Sequence, residues 1–270
     1  MTERTKIFWH DAFFEALQLE FHDYQDLLEF ENEYLLSKES LRMDVLVIKK
    51  KPGERIDKNI GRIFQAHNIF EFKSETDSLA VRDYNKVIAY ALLYSSFTDV
   101  PVTDITVSFA VTVHPQELLK YLKHERGFSI HTADAGIYYV KGDTFPVQIL
   151  ESKLLPPDEN LFMRNLRSNL NTDDAARVAE AYKKLKPFEK RNVYFDRLMQ
   201  ANQNAFKEAT IMSDVVKELF FEVAERDGWL QKERLQKATA IAKKLLLMGD
   251  PIEKVAEATE LPYETIADLV

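Results

Sequence analysis

Apolar and charged residues alternate most clearly in "HNIFEFKSET", His67 to Thr76. A strand points successive side chains to opposite faces, so Phe70 and Phe72 share one face. Glu71 and Lys73 then share the other face. The phenylalanines predict a side that packs in a core. The charged side is either exposed to solvent or part of a functional site.

The same reading over the first half of the chain predicts helices and strands in alternation. An amphipathic helix is expected over residues 11–29, a second over about 79–95, and a third in "QELLKYLKHERG". Strands are expected in "MDVLVIKK", "NIFEFKS", "DITVSFAVTV", "GFSIHTADAGIYYVKG" and "FPVQILESKLLP". This order favours an α/β fold with a central mixed sheet flanked by helices.

Pro156-Pro157 marks a change, because the pattern from there to the end is almost entirely helical. We therefore expect an α/β core at residues 1–155 and a helical region at 156–270. The last stretch, about 249–270, has the pattern of a helix, a tight turn and a helix, and it resembles a helix-turn-helix. Its second helix carries Glu264 and Asp268 and no Arg or Lys, which favours a packing or protein-contact role over DNA reading.

Composition narrows the class of protein. The 270 residues include no cysteine, which excludes disulfides, a cysteine nucleophile and thiolate metal sites. No signal peptide or long apolar run is recognisable, so we expect a cytoplasmic protein without membrane association. The chain also lacks a G-x-G-x-x-G motif and a P-loop, which argues against a nucleotide fold built on glycine-rich turns.

The net charge of −8 argues against general affinity for nucleic acid, but a local basic stretch is present. It consists of Lys49, Lys50, Lys51, Arg55, Lys58 and Arg62. These cations begin at the end of the strand expected at 43–50 and continue through the loop before the strand expected at 68–74. They could contact substrate phosphates, or the segment could be an ordinary solvated loop. The histidines show no paired spacing typical of metal ligands.

Asp44, Glu71 and Lys73 form the strongest candidate for chemistry. If their strands pair, the two carboxylates come close and repel each other unless a cation neutralises them. Mg²⁺ takes oxygen ligands, and it can activate a water and polarise a phosphoryl oxygen. A neighbouring lysine can orient that water or offset charge on the phosphate. These residue types suit phosphodiester hydrolysis.

"RMDVLVIKK" followed by "HNIFEFKS" resembles the signature of the PD-(D/E)XK nucleases, with Met43 in place of the proline. The stretch "KNIGRIFQAHNIFEFKSETDSLAVRDYNKVIAYALLY" resembles the bacterial YhgA-like branch of recombination-promoting nucleases and transposase-like proteins. The similarity covers roughly residues 8–155. It implies a restriction-endonuclease-like core and a Mg²⁺- or Mn²⁺-dependent DNA endonuclease linked to recombination or mobile elements. It also implies that Asp44 and Glu71 bind the metal and that Lys73 serves the water.

Members of this superfamily often add a carboxylate from the first helix. Glu20 lies at the edge of the apolar face of that helix, whereas Glu15 lies on its solvent side, so Glu20 is the expected fourth catalytic residue. The alternative is a solvated flank. In the helix after the motif, Arg82 and Lys86 could contact a substrate phosphate or could simply be exposed.

Two alternatives to an active nuclease remain open. Glu71 and Lys73 could form an ordinary salt bridge on the outer face of a hairpin. The chain could also be an inactive PD-(D/E)XK relative that binds nucleic acid or protein. DNA is the expected partner by resemblance, and self-association into a homo-oligomer is compatible with the sequence.

Overall fold

A computed structural model describes residues 9–31, 46–185 and 193–269 of the chain. The chain divides into two compact units, Met1–Ala209 and Thr210–Val270. The first unit contains the whole sheet and the helices around it. The boundary that we expected near Leu155 falls inside this first unit.

Seven strands in the described residues form one mixed sheet. The strands are β1 (Leu28–Glu31), β2 (Leu46–Lys50), β3 (His67–Lys73), β4 (Ile105–Val111), β5 (Ser129–Asp134), β6 (Ile137–Lys141) and β7 (Val147–Glu151). Their order in the sheet is β1-β2-β3-β4-β7-β6-β5. Strand β3 runs antiparallel to β2, whereas β3, β4 and β7 are parallel to one another. The pairs β1–β2, β6–β7 and β5–β6 are antiparallel and complete the two sides of the sheet.

Helices cover both faces of the sheet, which confirms the predicted α/β class. On one face, α1 (His10–Glu20) places Phe13 against Phe72, with ring centroids 4.8 Å apart. On the other face, α2 (Val81–Thr98) and α3 (Gln116–His124) pack on a core that contains Ile69, Val107 and Phe109. Strand β4 is buried along its whole length, as its continuous apolar run requires.

The first helix is shorter than predicted. It ends at Glu20 because Phe21 leaves the helical conformation, with φ −100° and ψ 22°. A 3₁₀ turn at His22–Tyr24 follows, and Leu28–Glu31 is the edge strand β1. The apolar spacing over 11–29 therefore spans a helix, a turn and a strand, since β1 pairs with β2 and this tertiary contact overrides the local pattern.

Four helices that the described residues form after the sheet belong to the first unit, and specific hydrogen bonds explain why. Glu20 accepts a bond from Met163 N–H at 2.8 Å, and Glu15 accepts one from Tyr194 N–H at 2.7 Å. The Pro156-Pro157 step therefore changes the secondary structure without ending the unit. The helices are α4 (Leu161–Arg164), α5 (Thr172–Leu185), α6 (Val193–Ala201) and α7 (Gln203–Ala209).

The second unit consists of helices, and the last three of those described pack around a small apolar cluster. Val255, Leu261 and Ile266 are buried in this cluster together with Ala242. The predicted helix, turn and helix are present as the last two elements, and their packing or protein-contact role stays a prediction. The helices are α8 (Asp214–Arg226), α9 (Trp229–Leu247), α10 (Ile252–Thr259) and α11 (Tyr263–Ala267). Each helix in the described ranges of the chain is too short or too polar to cross a bilayer.

Candidate functional site

Glu71 and Lys73 lie side by side at the carboxyl end of β3, on the face that α2 covers. The Lys73 Nζ is 3.5 Å from Glu71 Oε1, and only 8% of Lys73 and 5% of Glu71 is exposed. The charged face of the strand is therefore neither a solvent face nor the outer side of a hairpin. The pair is a buried charge cluster at the end of a central strand.

Two aspartates that the motif did not include complete this cluster. Lys73 Nζ is 3.0 Å from Asp77 Oδ2 in the loop after β3, and 3.4 Å from Asp83 Oδ1 in the first turn of α2. Asp83 also accepts a hydrogen bond from Ala80 N–H at 3.2 Å, which caps the start of α2. The sequence offered a signal for both: Asp77 stands four residues after Lys73, and Asp83 follows the N-cap of the helix by three.

The ionisation of the cluster follows from burial and from these partners. Burial raises the pKa of Glu71, an effect that Lys73 and Lys86 oppose and Asp83 reinforces. Burial would lower the pKa of Lys73, but its bond to Asp77 and the charges of Glu71 and Asp83 raise it. Burial also acts to raise the pKa of Asp83, yet the Ala80 N–H and Lys73 hold it below its usual value. Lys73 therefore stays charged at neutral pH.

The second oxygen of Glu71 is the unusual atom of the site. Glu71 Oε2 is buried and has no hydrogen-bond partner in the described part of the chain. A buried carboxylate oxygen without a partner is costly, because desolvation is not repaid. Such an atom is suited to bind a ligand that the protein itself does not supply, and a hard cation is the natural choice for a carboxylate oxygen.

Asp44, the other predicted metal ligand, lies outside the described residues. It stands two positions before Leu46, the first residue of β2, and Leu46 pairs with Phe70 of β3. Within residues 9–31, 46–185 and 193–269, no group of three or more His, Asp or Glu is arranged to hold a metal ion. A metal at Glu71 would thus depend on Asp44, on water and on substrate oxygens.

Of the predicted phosphate ligands, Lys86 and Arg82 lie in α2 close to this cluster. The charge of Lys86 acts to lower the pKa of Glu71, and the charge of Arg82 acts to lower the pKa of Asp83. Lys86 is partly buried and lies 5.7 Å from the centroid of the Tyr90 ring, whereas Arg82 is exposed. Both cations therefore lie beside the acidic residues, and their contact with a substrate phosphate stays a prediction.

Lys49 and Lys50, two of the other predicted phosphate ligands, are at the opposite end of β3. Lys49 pairs with His67, four residues before Glu71, which corresponds to roughly 13 Å along the strand. Lys49 and Lys50 are also strand residues rather than loop residues, since β2 continues to Lys50. Their partners are local, as are those of the two arginines: Lys49 with Glu31, Lys50 with Glu54 O, Arg55 with Asp57, and Arg62 with Asp57 O.

Glu20 has structural partners on the α1 side of the sheet. Its Oε1 accepts bonds from the N–H groups of Phe162 and Met163, and its Oε2 is 3.0 Å from Lys58 Nζ. Burial raises the pKa of Glu20, although Lys58 and the two N–H groups oppose this. No hydrogen bond or ion pair within the described ranges joins Glu20 to Lys73. Its catalytic role stays a prediction.

A second polar group occupies the same edge of the sheet. In the parallel register, Lys73 pairs with Val111 and Val111 pairs with Glu151, so all three stand in one row. Glu151 Oε2 is 2.8 Å from His114 Nδ1 and accepts a bond from Tyr138 OH at 3.3 Å. We did not predict this group from the sequence, although His114 follows one buried strand and Glu151 ends another.

Crevices at the carboxyl ends of parallel strands are the usual ligand sites of α/β sheets. Glu71, Lys73 and Glu151 all lie at this edge, between the beginnings of α2 and α3. Comparison of the chain with protein-family models, curated proteins and solved structures gave no match. The resemblance to the PD-(D/E)XK nucleases therefore depends on the sequence motif and its neighbouring residues alone.

Proposed function

We propose that the protein is a metal-dependent phosphodiesterase that cleaves DNA as an endonuclease. The observation that carries this proposal is the Glu71 Oε2 atom, buried without a partner beside the Lys73 ammonium. A carboxylate oxygen that can accept a cation, next to a fixed positive charge, is the minimum that metal-assisted hydrolysis of a phosphodiester requires. The D…ExK motif supports the same reaction.

The residues present fit Mg²⁺ or Mn²⁺. Mg²⁺ is commonly bound through one or two carboxylates, with waters and substrate phosphates as the other ligands. Glu71 would supply one carboxylate and Asp44 the second. When bound, the metal would polarise a phosphoryl oxygen and lower the pKa of a water.

The chain's own residues have separate tasks in this proposal. Lys73 keeps its charge in the buried site, because three carboxylates surround it. Its ammonium can donate a hydrogen bond to the attacking water or to a phosphate oxygen. Asp77 and Asp83 hold the lysine in place, and Asp83 also fixes the beginning of α2. The loop after β3 is held in turn by Glu75, which accepts a bond from Ser168 N–H at 2.9 Å.

DNA is the proposed substrate because two cations lie beside this acidic cluster in a chain of net charge −8. Lys86 and Arg82 can contact backbone phosphates near the reacting one. The family resemblance favours DNA over RNA and a role in recombination or in mobile elements. The basic residues at the other end of β3 lie too far from Glu71 to contact the same phosphate.

A second candidate function is binding without catalysis, as an inactive relative would show. One observation favours it: Lys73 is already engaged by Asp77 at 3.0 Å and Asp83 at 3.4 Å. A lysine held by structural partners is less available to a water. In this case, the protein would bind nucleic acid or a protein without cutting any strand.

Plasmid cleavage separates the two functions. The wild type is incubated with supercoiled DNA and Mg²⁺ or Mn²⁺, next to Glu71→Ala and Lys73→Ala. Glu117 and Lys120 offer a matched control, since they form an exposed ion pair at 2.9 Å on α3. We expect nicking that needs metal, is lost in the two site variants and persists in Glu117→Ala and Lys120→Ala. Equal cleavage by all variants would mean a contaminant, and DNA binding without cleavage would favour the inactive relative.

A further inference from the structure

We propose that His114, held by Glu151 and Tyr138, is a phosphate-binding residue of the same site and contacts the DNA strand next to the reacting phosphate. This inference rests on the proposed function for the identity of the substrate. It adds a residue that follows the end of β4 and lies outside the D…ExK motif. The evidence is the geometry of the three side chains and their place in the sheet.

The ring of His114 is fixed in one orientation. Glu151 Oε2 is 2.8 Å from Nδ1, and the ring lies edge-on to Tyr138, with centroids 6.1 Å apart. Glu151 is in turn held by the Tyr138 hydroxyl. Its side chain is 12% exposed, whereas that of His114 is 46% exposed. A mostly buried carboxylate therefore anchors a histidine that reaches the surface.

This arrangement decides what His114 can offer to a ligand. A carboxylate accepts hydrogen bonds only, so Nδ1 carries the hydrogen of the bond to Glu151. Nε2 has no hydrogen-bond partner among the residues that the structure describes. In the neutral ring Nε2 is then an acceptor, whereas in the imidazolium form, whose charge Glu151 balances, Nε2 presents a second N–H. An anionic oxygen that approaches Nε2 favours the imidazolium form, because that form gives it a charged donor, and phosphate is the anion of the proposed substrate.

The pair of His114 and Glu151 lies at the same edge of the sheet as the acidic cluster and would face the same substrate. Lys73 and Glu151 are separated by two steps across the sheet, or roughly 10 Å between their Cα atoms. Residues paired in a parallel register point to the same face. Thr112, directly after β4, donates both its N–H and its hydroxyl to Lys73 O, at 3.2 Å and 3.0 Å, so the segment that leads to His114 is attached to the end of β3. A DNA strand rises about 3.4 Å per nucleotide, so this separation spans two or three nucleotides.

Tyr138 helps to hold the pair of His114 and Glu151 in place. Burial raises the pKa of its hydroxyl, and the charge of Glu151 raises it further, so the hydroxyl stays protonated and donates. Glu151 thus receives two donors, one from Tyr138 and one from His114. A surface histidine without a function does not need a carboxylate partner that is itself held by a tyrosine. His131 on β5 is exposed and is the matched control for loss of a surface imidazole.

The test measures DNA binding in a background that cannot cut. Full-length protein with Glu71→Gln is titrated against a fluorescent oligonucleotide at several salt concentrations, alone and combined with His114→Ala, His114→Gln, Glu151→Gln or His131→Ala. We expect His114→Ala to raise Kd about fivefold to tenfold and to reduce the slope of log K against log salt by about 0.7. Glu151→Gln should weaken binding in the same direction, and His131→Ala should not.

The outcomes separate this inference from the proposed function. Unchanged binding by both His114 variants, with metal-dependent cleavage by the wild type, overturns the inference alone. Binding that depends on His114 without any cleavage by the wild type overturns the hydrolase and leaves the phosphate contact standing. If the wild type neither binds nor cleaves DNA, both the proposed function and the inference on His114 are contradicted. In the active protein, His114→Ala should raise KM by a similar factor while kcat changes by less than about twofold.

Discussion

Lys73 at the end of β3 forms an ion pair with Asp83 in the first turn of α2, with 3.4 Å between Nζ and Oδ1. The same aspartate accepts the Ala80 N–H that begins the helix. One carboxylate thus joins the candidate catalytic lysine to the helix that covers it. The position of Lys73 and the stability of the helix start are coupled through this residue.

This coupling makes Asp83→Asn destabilising. The amide keeps the size of the side chain but loses the charge that Lys73 and the helix start favour, so we expect a loss of about 1–2 kcal/mol at pH 7. The folded pKa of Asp83 lies below its usual value of 3.8, so its contribution is present above that pH and is lost as the pH falls through the folded pKa. Urea unfolding of both proteins should therefore show curves that converge in acid. A difference that persists below the folded pKa would contradict the ionic explanation.

Glu71→Gln should have the opposite dependence on pH. The folded pKa of Glu71 is raised, so the charged carboxylate destabilises the fold as the pH rises from its usual 4.5 through the folded value. Glutamine has no such charge. We expect the free energy of unfolding of the variant, relative to the wild type, to rise as the pH increases above the usual value of 4.5 and to level off above the folded pKa. Urea unfolding of both proteins at a series of pH values measures this, and a difference that does not change with pH would contradict it.

Glu20→Ala should lower stability more than any exposed carboxylate does. It leaves the N–H groups of Phe162 and Met163 without their acceptor in a buried region, and it removes the ion pair with Lys58, which keeps its bond to Glu159 O. We expect a loss of about 3 kcal/mol in urea unfolding. A loss below about 0.5 kcal/mol, the range of surface substitutions, would show that these contacts are not needed. Cleavage by Glu20→Gln, measured on folded protein, tests the catalytic role that the sequence suggested.

Lys86→Ala should weaken DNA binding more than Lys50→Ala does. The charge of Lys86 acts to lower the pKa of Glu71, so Lys86 is close to the site. Lys50 lies beside the beginning of β3 and donates to Glu54 O. Loss of one phosphate contact should reduce the slope of log K against log salt by about 0.9 on duplex DNA. Titration of a labelled duplex with each variant at several salt concentrations measures this. A larger effect of Lys50→Ala would place the DNA along the other end of β3.

Strand positions were the part of the fold that the sequence predicted well, because apolar runs such as Ile105–Val111 are fully buried. The alternation in β3 correctly separated Phe70 and Phe72 from Glu71 and Lys73. It could not reveal that α2 buries the charged face, since a strand pattern does not identify the element packed upon it. The length of α1 and the unit boundary were missed for a related reason. Both depend on distant contacts, such as Glu20 with Met163.

The candidate site was predicted in part. Glu71 and Lys73 meet as the motif suggested, and Lys86 lies nearby. Asp77 and Asp83 were missed because the motif contains only Asp44, Glu71 and Lys73, and a strand pattern does not show which residues the following loop and helix bring to Lys73. Lys49 and Lys50 were grouped with the site because they precede β3 in the chain. Since β2 and β3 are antiparallel, the end of β2 lies beside the beginning of β3, far from Glu71.

The most direct test of the nuclease proposal is the single-turnover rate of cleavage of a labelled oligonucleotide in Mn²⁺, for the wild type, Glu71→Gln and Glu117→Gln. We predict that the wild type cleaves only with metal, that Glu71→Gln is slower by about 100-fold or more, and that Glu117→Gln stays within about twofold of the wild type. Cleavage by Glu71→Gln at the wild-type rate, or no cleavage by the wild type with either Mg²⁺ or Mn²⁺, would contradict the proposal.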